Sequence, residues 1–439
     1  MHREAMSQLI KWKNSNYKKP LIIRGARQVG KTWLMKAFGE KHYKYFAYIN
    51  FDNNSRMKTL FHSNLDIERL IKGLQIEAGM SIQAENTLMI FDEIQEVPRA
   101  LTSLKYFNEN APQYDIICAG SLLGITMHPG TSFPVGKVDF MDLHPMSFME
   151  FLNALEYPNY VELLHNRDFP MIKHFKSVLL PLLKEYFFVG GMPEVVSCYR
   201  KTKDLQEARK IQLTLLEAYE QDFSKHAPPD IVPRIRLIWR SIPTQLAKEN
   251  RKFVYGLIRE GARAREFELA LMWLQDAGLL KRINRIEKPG LPLLAYQDNS
   301  AFKIFLLDVG LLGAMSHLDA KSLLEGHRLF TEFKGALTEQ YVLQELQTFN
   351  EMKLHYWTAS NGTAEVDLVF QWNDEVIPLE VKANENLQAK SLKSFVQRYQ
   401  CQKALRTSLS DYRKESWLIN IPLYAISQFR EILENFDQP

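Results

Sequence analysis

The sequence predicts an α/β protein whose N-terminal third is a parallel sheet, and three observations predict it. Up to about residue 125, short apolar runs alternate with longer helical stretches, as they do in βαβ units. The runs at 20–23, 46–49, 87–91 and 115–119 do not alternate apolar with polar residues, the pattern of strands buried on both faces. A glycine-rich loop follows the first run and leads directly into a helix.

That loop reads Gly25-Ala26-Arg27-Gln28-Val29-Gly30-Lys31-Thr32, a complete G-x-x-x-x-G-K-[ST] pattern. Its glycines let backbone N–H groups wrap a phosphate, and the helix N-terminus adds the positive end of its dipole. Lys31 is expected to reach the β- and γ-phosphates and Thr32 to ligate Mg²⁺. A chance glycine turn is the alternative, disfavoured by the strand before and the helix after. The third run ends in Asp92-Glu93. With the loop upstream, Asp92 is expected beside the Mg²⁺ and Glu93 beside the water that attacks the γ-phosphate. Without the loop, the same two acids would read as the solvated end of a buried strand. Ser121, after the fourth run, is a candidate γ-phosphate sensor, with a helix N-cap serine as its competitor. Asp52, after the second run, is a weaker candidate.

Composition bounds the rest. At roughly 150 residues per domain, 439 residues allow about three domains. An apolar share of 46% and a charged share of 24% exclude a disordered chain or a fibre. Net charge is only +4, which excludes a polycation but leaves room for a local basic face. Cys118, Cys198 and Cys401 form no metal-ligand spacing and fit a reducing cytoplasm. No apolar run reaches the ~18 residues of a bilayer span. The nearest, 301–315, contains Lys303 and Asp308. Lys11, Lys13 and Lys18 stand where a secretory leader would be apolar, so a cytoplasmic protein without membrane contact is expected.

Residues 148–225 read as helical, broken by Gly190-Gly191-Met192-Pro193, and a proline-rich linker follows at 226–230. Residues 231–290 hold thirteen Lys and Arg against six Asp and Glu. Within them Phe267, Ala270, Leu271 and Leu274 mark an amphipathic helix that ends at Gly278. A hairpin is expected next, its strands at 282–286 and 293–296 and its turn at Lys288-Pro289-Gly290. Helix, helix and two-stranded wing describe a winged helix. Arg259, Arg263, Arg265, Lys281, Arg282, Arg285 and Lys288 could then meet DNA phosphates. The competing reading is a winged helix used only for protein packing.

Further on, a helix over 329–348 carries Glu339, and strand-like runs surround Tyr356, Asp367 and Leu379, with more helix beyond. Asp367 on one strand and Glu380-x-Lys382 on the next are the signature of the restriction-endonuclease-like nuclease fold. Glu380 and Lys382, two residues apart, share one strand face. Glu339, Asp367 and Glu380 could hold Mg²⁺ with oxygen ligands, and Lys382 could activate a water there. The alternative is a nuclease fold kept as a docking surface.

Taken together, these segments resemble the bacterial and archaeal AAA-type ATPases that carry a winged helix and a C-terminal domain of unknown function with a restriction-endonuclease-like fold. The marks are the loop from Arg24 to Thr32, Phe91-Asp92-Glu93-Ile94-Gln95, Gly120-Ser121 and Leu143-His144-Pro145-Met146-Ser147-Phe148. Gly190-Gly191-Met192-Pro193-Glu194, Ala264-Arg265-Glu266, the run from Trp273 to Leu279, and Glu339, Asp367, Glu380 and Lys382 complete them. The resemblance implies a P-loop ATPase core over 1–150, a helical lid over 151–230, a winged helix over 231–320 and a restriction-endonuclease-like domain over 321–439. One departure is Gly136-Lys137, where such proteins often show Gly-Arg, so no arginine finger is assigned there. The function expected is Mg²⁺-dependent ATP hydrolysis acting on DNA, with metal-dependent cleavage by the last domain open. The alternative is an ATP-gated switch whose last two domains only bind a partner, and a protein-remodelling ATPase is a third reading. A protein partner and self-association stay open.

Overall fold

The computed structural model describes residues 2–120, 134–248, 252–325, 331–349, 352–359, 362, 364–385 and 387–436. The chain divides into two compact units, one of residues 2–144 with 276–278, the other of 145–275 with 279–439.

In the first unit, β1 (Leu21–Arg24), β2 (Tyr45–Asn50), β3 (Thr87–Asp92), β4 (Ile116–Ala119) and β5 (Asp139–Asp142) form one sheet. Their order is β2-β3-β4-β1-β5, and every pairing is parallel. β3 and β4, flanked by strands on both sides, are buried at every residue, as continuous apolar runs require. β2 differs from the expectation: as an edge strand it buries Ala47 and Ile49 and leaves Phe46 and Tyr48 half-exposed. The other edge, β5, was not expected at all. Its Asp-Phe-Met-Asp buries only Met141, and Asp142 pairs with Arg24 on β1 at 2.8 Å. Helices Ser55–Ser63, Ile67–Ala78 and Pro98–Asn110 pack Phe61, Leu70, Leu74, Leu104 and Phe107 into a core with Met89 and Phe91 of the sheet.

The second unit begins with helices and ends in a mixed sheet. Its strands are β6 (Leu280–Ile286), β7 (Gln297–Leu306), β8 (Leu354–Thr358), β9 (Glu365–Trp372), β10 (Glu375–Val381), β11 (Ala404–Ser408), β12 (Arg413–Lys414) and β13 (Leu418–Pro422). They lie in the order β12-β13-β11-β10-β9-β8-β6-β7. The hairpin expected as a two-stranded wing is part of this sheet. β6 runs parallel to β8, with Asn284 opposite His355. The expected strand at 293–296 is a 3₁₀ turn, Leu293–Tyr296, and the second hairpin strand starts at Gln297. β11 and β13 occupy a stretch expected to be helical. Both are buried at every residue and parallel to each other, so their patterns carry no alternation.

The Gly-Gly-Met-Pro segment joins helices Lys176–Val189 and Pro193–Thr202. Gly190 has φ +72°, and a Cβ there would run into the carboxylate of Asp308. A Cβ on Gly191 would run into the backbone of Met146. The close approach serves hydrogen bonds. Gly191 N–H donates to Asp308 Oδ2 at 2.6 Å, and Met146 N–H donates to Gly191 O at 2.7 Å. Asp308 also accepts from Leu311 N–H at 2.9 Å and from Gln344 at 3.1 Å. Burial pushes its carboxyl upward, and those hydrogen bonds pull it back. Gly191→Ala should cost about 1–3 kcal/mol in urea denaturation through overpacking. Gly256→Ala, whose Cβ would meet only Val254 at 4.0 Å, should be close to neutral.

Candidate functional site

The glycine-rich loop links β1 to the helix Lys31–His42. Three of its residues need positive φ: Gly25 at +146°, Gln28 at +66° and Gly30 at +93°. At Gly25 a Cβ would collide with the carbonyl oxygen of Leu143, so only glycine fits. No side chain caps the helix at Gly30, which leaves its first-turn N–H groups to meet an anion. Arg3 braces the loop, donating to Val29 O at 3.0 Å and to His144 O at 2.6 Å. Nothing in the sequence singled out Arg3, since an arginine near a chain start carries no motif.

Lys31 folds back over its own loop, Nζ donating to Gly25 O at 2.8 Å and Ala26 O at 2.7 Å. It is 7% exposed. Burial lowers its pKa to about 8, against the pull of Glu93 and Asp92. Neutral carbonyls are weak partners for a buried ammonium, so an incoming phosphate would be a better one.

Asp92 ends β3, buried beside the loop. Thr32 Oγ1 donates to Asp92 Oδ2 at 2.7 Å, and Tyr48 Oη donates to the same oxygen at 2.9 Å. Hydroxyl and carboxylate oxygens in contact are the donor set a Mg²⁺ ion takes, so the residues present fit such an ion. Tyr48 was missed at the sequence level, where its run read as a plain buried strand. Glu93 sits in the left-handed region at φ +52° and accepts from Gln95 Nε2. That conformation is uncommon outside glycine and turns the side chain off the line of the strand. Asp52 is exposed. Lys137 is paired with Glu109 at 2.9 Å. Ser121 lies outside the described residues.

The basic middle is less open than its composition suggests. Arg282 pairs with Glu268 at 2.7 Å and stacks 3.9 Å over Phe302. Arg285 pairs with Asp298 and Arg259 with Glu266, each at 2.6 Å. Arg263, Arg265, Lys281 and Lys288 are exposed.

In the mixed sheet, Asp367 on β9 and Glu380 on β10 come close, and Lys382 Nζ donates to Glu380 Oε1 at 2.6 Å. Asp367 accepts the Val381 N–H at 2.8 Å. Glu380 and Lys382 line a cavity of about 360 Å³ with Asn384, Gln388 and Lys390. Burial, then Asp367, push Glu380 up to about 7, and Lys382 opposes them. The expected three-carboxylate metal site is not formed. Among the described residues no three His, Cys, Asp or Glu are grouped to hold a metal ion. Glu339 instead faces Lys303 of β7 at 3.7 Å, and Lys303 pairs with Glu365 of β9 at 2.5 Å. Lys303 was visible in the sequence only as a charge interrupting an apolar run.

Lys31→Met should weaken nucleotide binding roughly tenfold to a hundredfold, the worth of a charged hydrogen bond. Without nucleotide it should be at least as stable as wild type in urea, because a poorly partnered buried charge has gone. For Glu380, a raised folded pKa means that stability is highest at acid pH and falls as pH rises from about 4.5 through about 7. Glu380→Gln should therefore gain stability over wild type between pH 5 and pH 8, measured by melting at both.

Family comparison matches residues 17–152 to the AAA domain. Residues 180–322 match a domain of unknown function (DUF8612), and residues 334–425 match another (DUF4143). No curated protein is significantly similar to the chain. Among solved structures, a Walker-type ATPase of Pyrococcus abyssi aligns at 16% identity over 72% of this chain and 95% of its own, with a TM-score of 0.44. The ORC1 protein of Aeropyrum pernix, solved in complex with DNA, aligns at 14% identity over 72% and 92%, with a TM-score of 0.28. The parallel sheet, the phosphate loop ahead of its helix and the family match together make residues 17–152 an AAA-type P-loop domain.

Proposed function

We propose that the chain is a Mg²⁺-dependent ATPase that works on DNA in the cytoplasm. The observation that carries the hydrolytic part is the 2.7 Å contact between Thr32 and Asp92 beside the loop. Residues 25–32 hold the β- and γ-phosphates through backbone N–H groups, with Lys31 swinging from its carbonyls onto them. Mg²⁺ held by Thr32 and Asp92 supplies positive charge against the phosphate oxygens. Glu93 orients the attacking water, with Gln95 fixing its carboxylate, and Ser121 senses the γ-phosphate.

Arg263, Arg265 and Lys288, exposed along with Lys281, are the DNA contacts this reading assigns, rather than Arg282 and Arg285. A second reading, the ATP-gated switch, is favoured for the C-terminal domain by Lys303 standing among its carboxylates. In that reading the domain binds DNA or a protein partner, a second copy included, and does not cut. Among the described residues no helix is long and apolar enough to cross a membrane.

Glu93→Gln should keep nucleotide affinity and lose turnover by about a hundredfold or more. Wild-type turnover in that variant would remove Glu93 from the mechanism. Single- or double-stranded DNA should raise the wild-type ATPase rate. Arg263→Ala with Arg265→Ala and Lys288→Ala should flatten the salt dependence of DNA binding, because each phosphate contact releases a counterion. Mg²⁺- or Mn²⁺-dependent nicking lost in Lys382→Ala would restore the nuclease reading over the switch.

A further inference from the structure

Lys303 is the most deeply placed cation of the mixed sheet. It lies on β7 opposite Ile283 of β6 and is 0% exposed. Its neighbours along the strand, Phe302 and Ile304, are buried as well, so the lysine enters the interior inside an apolar run. A buried ammonium is tolerated only with partners. Lys303 has the carboxylate of Glu365 at 2.5 Å, that of Glu339 at 3.7 Å and the ring of Tyr356 at 5.0 Å from its centroid.

The partners need it equally. Glu339 and Glu365 share Lys303, and Glu380 feels the charge of both Asp367 and Glu365, so the four carboxylates form a linked acidic set. Such a set repels itself unless cations stand within it. Lys382 serves Glu380 at one end of the set, and Lys303 serves Glu339 and Glu365 at the other.

We infer that Lys303 is the resident counter-ion of this acidic set, standing where a divalent metal would otherwise be needed, so that the site holds together without metal. The reason is chemical. An ammonium carries one positive charge and three N–H donors, and offers no open coordination position at which a water could be activated. The β6–β7 hairpin delivers this cation, which gives the hairpin a task beyond closing the sheet edge. The inference does not rest on the ATPase reading, because an ion held by Thr32 and Asp92 would contribute equally to wild type and to every variant compared.

The test uses the nucleotide-free full chain. Calorimetric titration with Mn²⁺ should give the same isotherm for wild type, Glu339→Gln and Glu365→Gln. A binding event present in wild type and missing from either variant would overturn the inference. Lys303→Met should melt several degrees below wild type in EDTA. Adding Glu365→Gln to it should recover most of that loss without metal, since the pair is then removed as a unit. If the single variant does not fold, the double variant should still fold in EDTA. A double variant that fails to fold, or melts no higher than Lys303→Met, overturns the inference. So does a rise in wild-type melting temperature on adding Mn²⁺ that disappears in Glu339→Gln or Glu365→Gln.

Discussion

The carboxylate of Asp308 lies wholly out of water, and the backbone of Gly191 and Leu311 with the amide of Gln344 comes in to meet it. The same constraint, that a charge removed from water must find a partner, runs through both units. Arg3 meets two backbone carbonyls, Lys31 meets two others, and Lys303 meets two carboxylates. Asp308, Arg3 and Lys303 each draw together segments far apart in sequence, whereas Lys31 meets its own loop. Glycines 190 and 191 follow from it, since any larger residue would hold Asp308 and Met146 away.

The quality of the partner separates the two lysines. Burial leaves Lys31 with a lowered pKa and only carbonyl oxygens to meet, a side chain better served by an incoming anion than by its own loop. Carboxylates hold Lys303 in a contact that an incoming ligand would have to replace at full cost. One lysine is poised to let go and the other is not.

Much of the candidate nucleotide site was legible because its residues are adjacent in sequence and its strand is buried on both faces. Residues 25–32 and the pair Asp92-Glu93 follow from pattern alone. Tyr48 and Arg3 did not, because they reach the site through the sheet order and a backbone carbonyl, neither of which leaves a pattern. β5 escaped for a different reason: an edge strand that buries only Met141 carries too little apolar signal. The hairpin was legible as a hairpin, yet its fate was not. Burial along β6, with Leu280, Ile283 and Ile286 inside, suits a wing as well as a strand paired on both sides within a sheet. Periodicity reports which face is covered, never by which strand. Thus Lys303 read as an interruption, when the carboxylates that explain it lie on β9 and on the helix Thr331–Gln347.

The parallel pairing of β6 with β8 has a consequence for the order in which this molecule is made. Asn284 and His355 are about seventy residues apart, and a parallel neighbour cannot be supplied by a tight turn. As the chain leaves the ribosome, β6 and β7 emerge together and can zip at once, but the outer edge of β6 keeps its N–H and C=O groups unmatched until β8 follows. Glu365, on β9, emerges later still, so throughout that interval Lys303 lacks its 2.5 Å partner and its charge must be met by water.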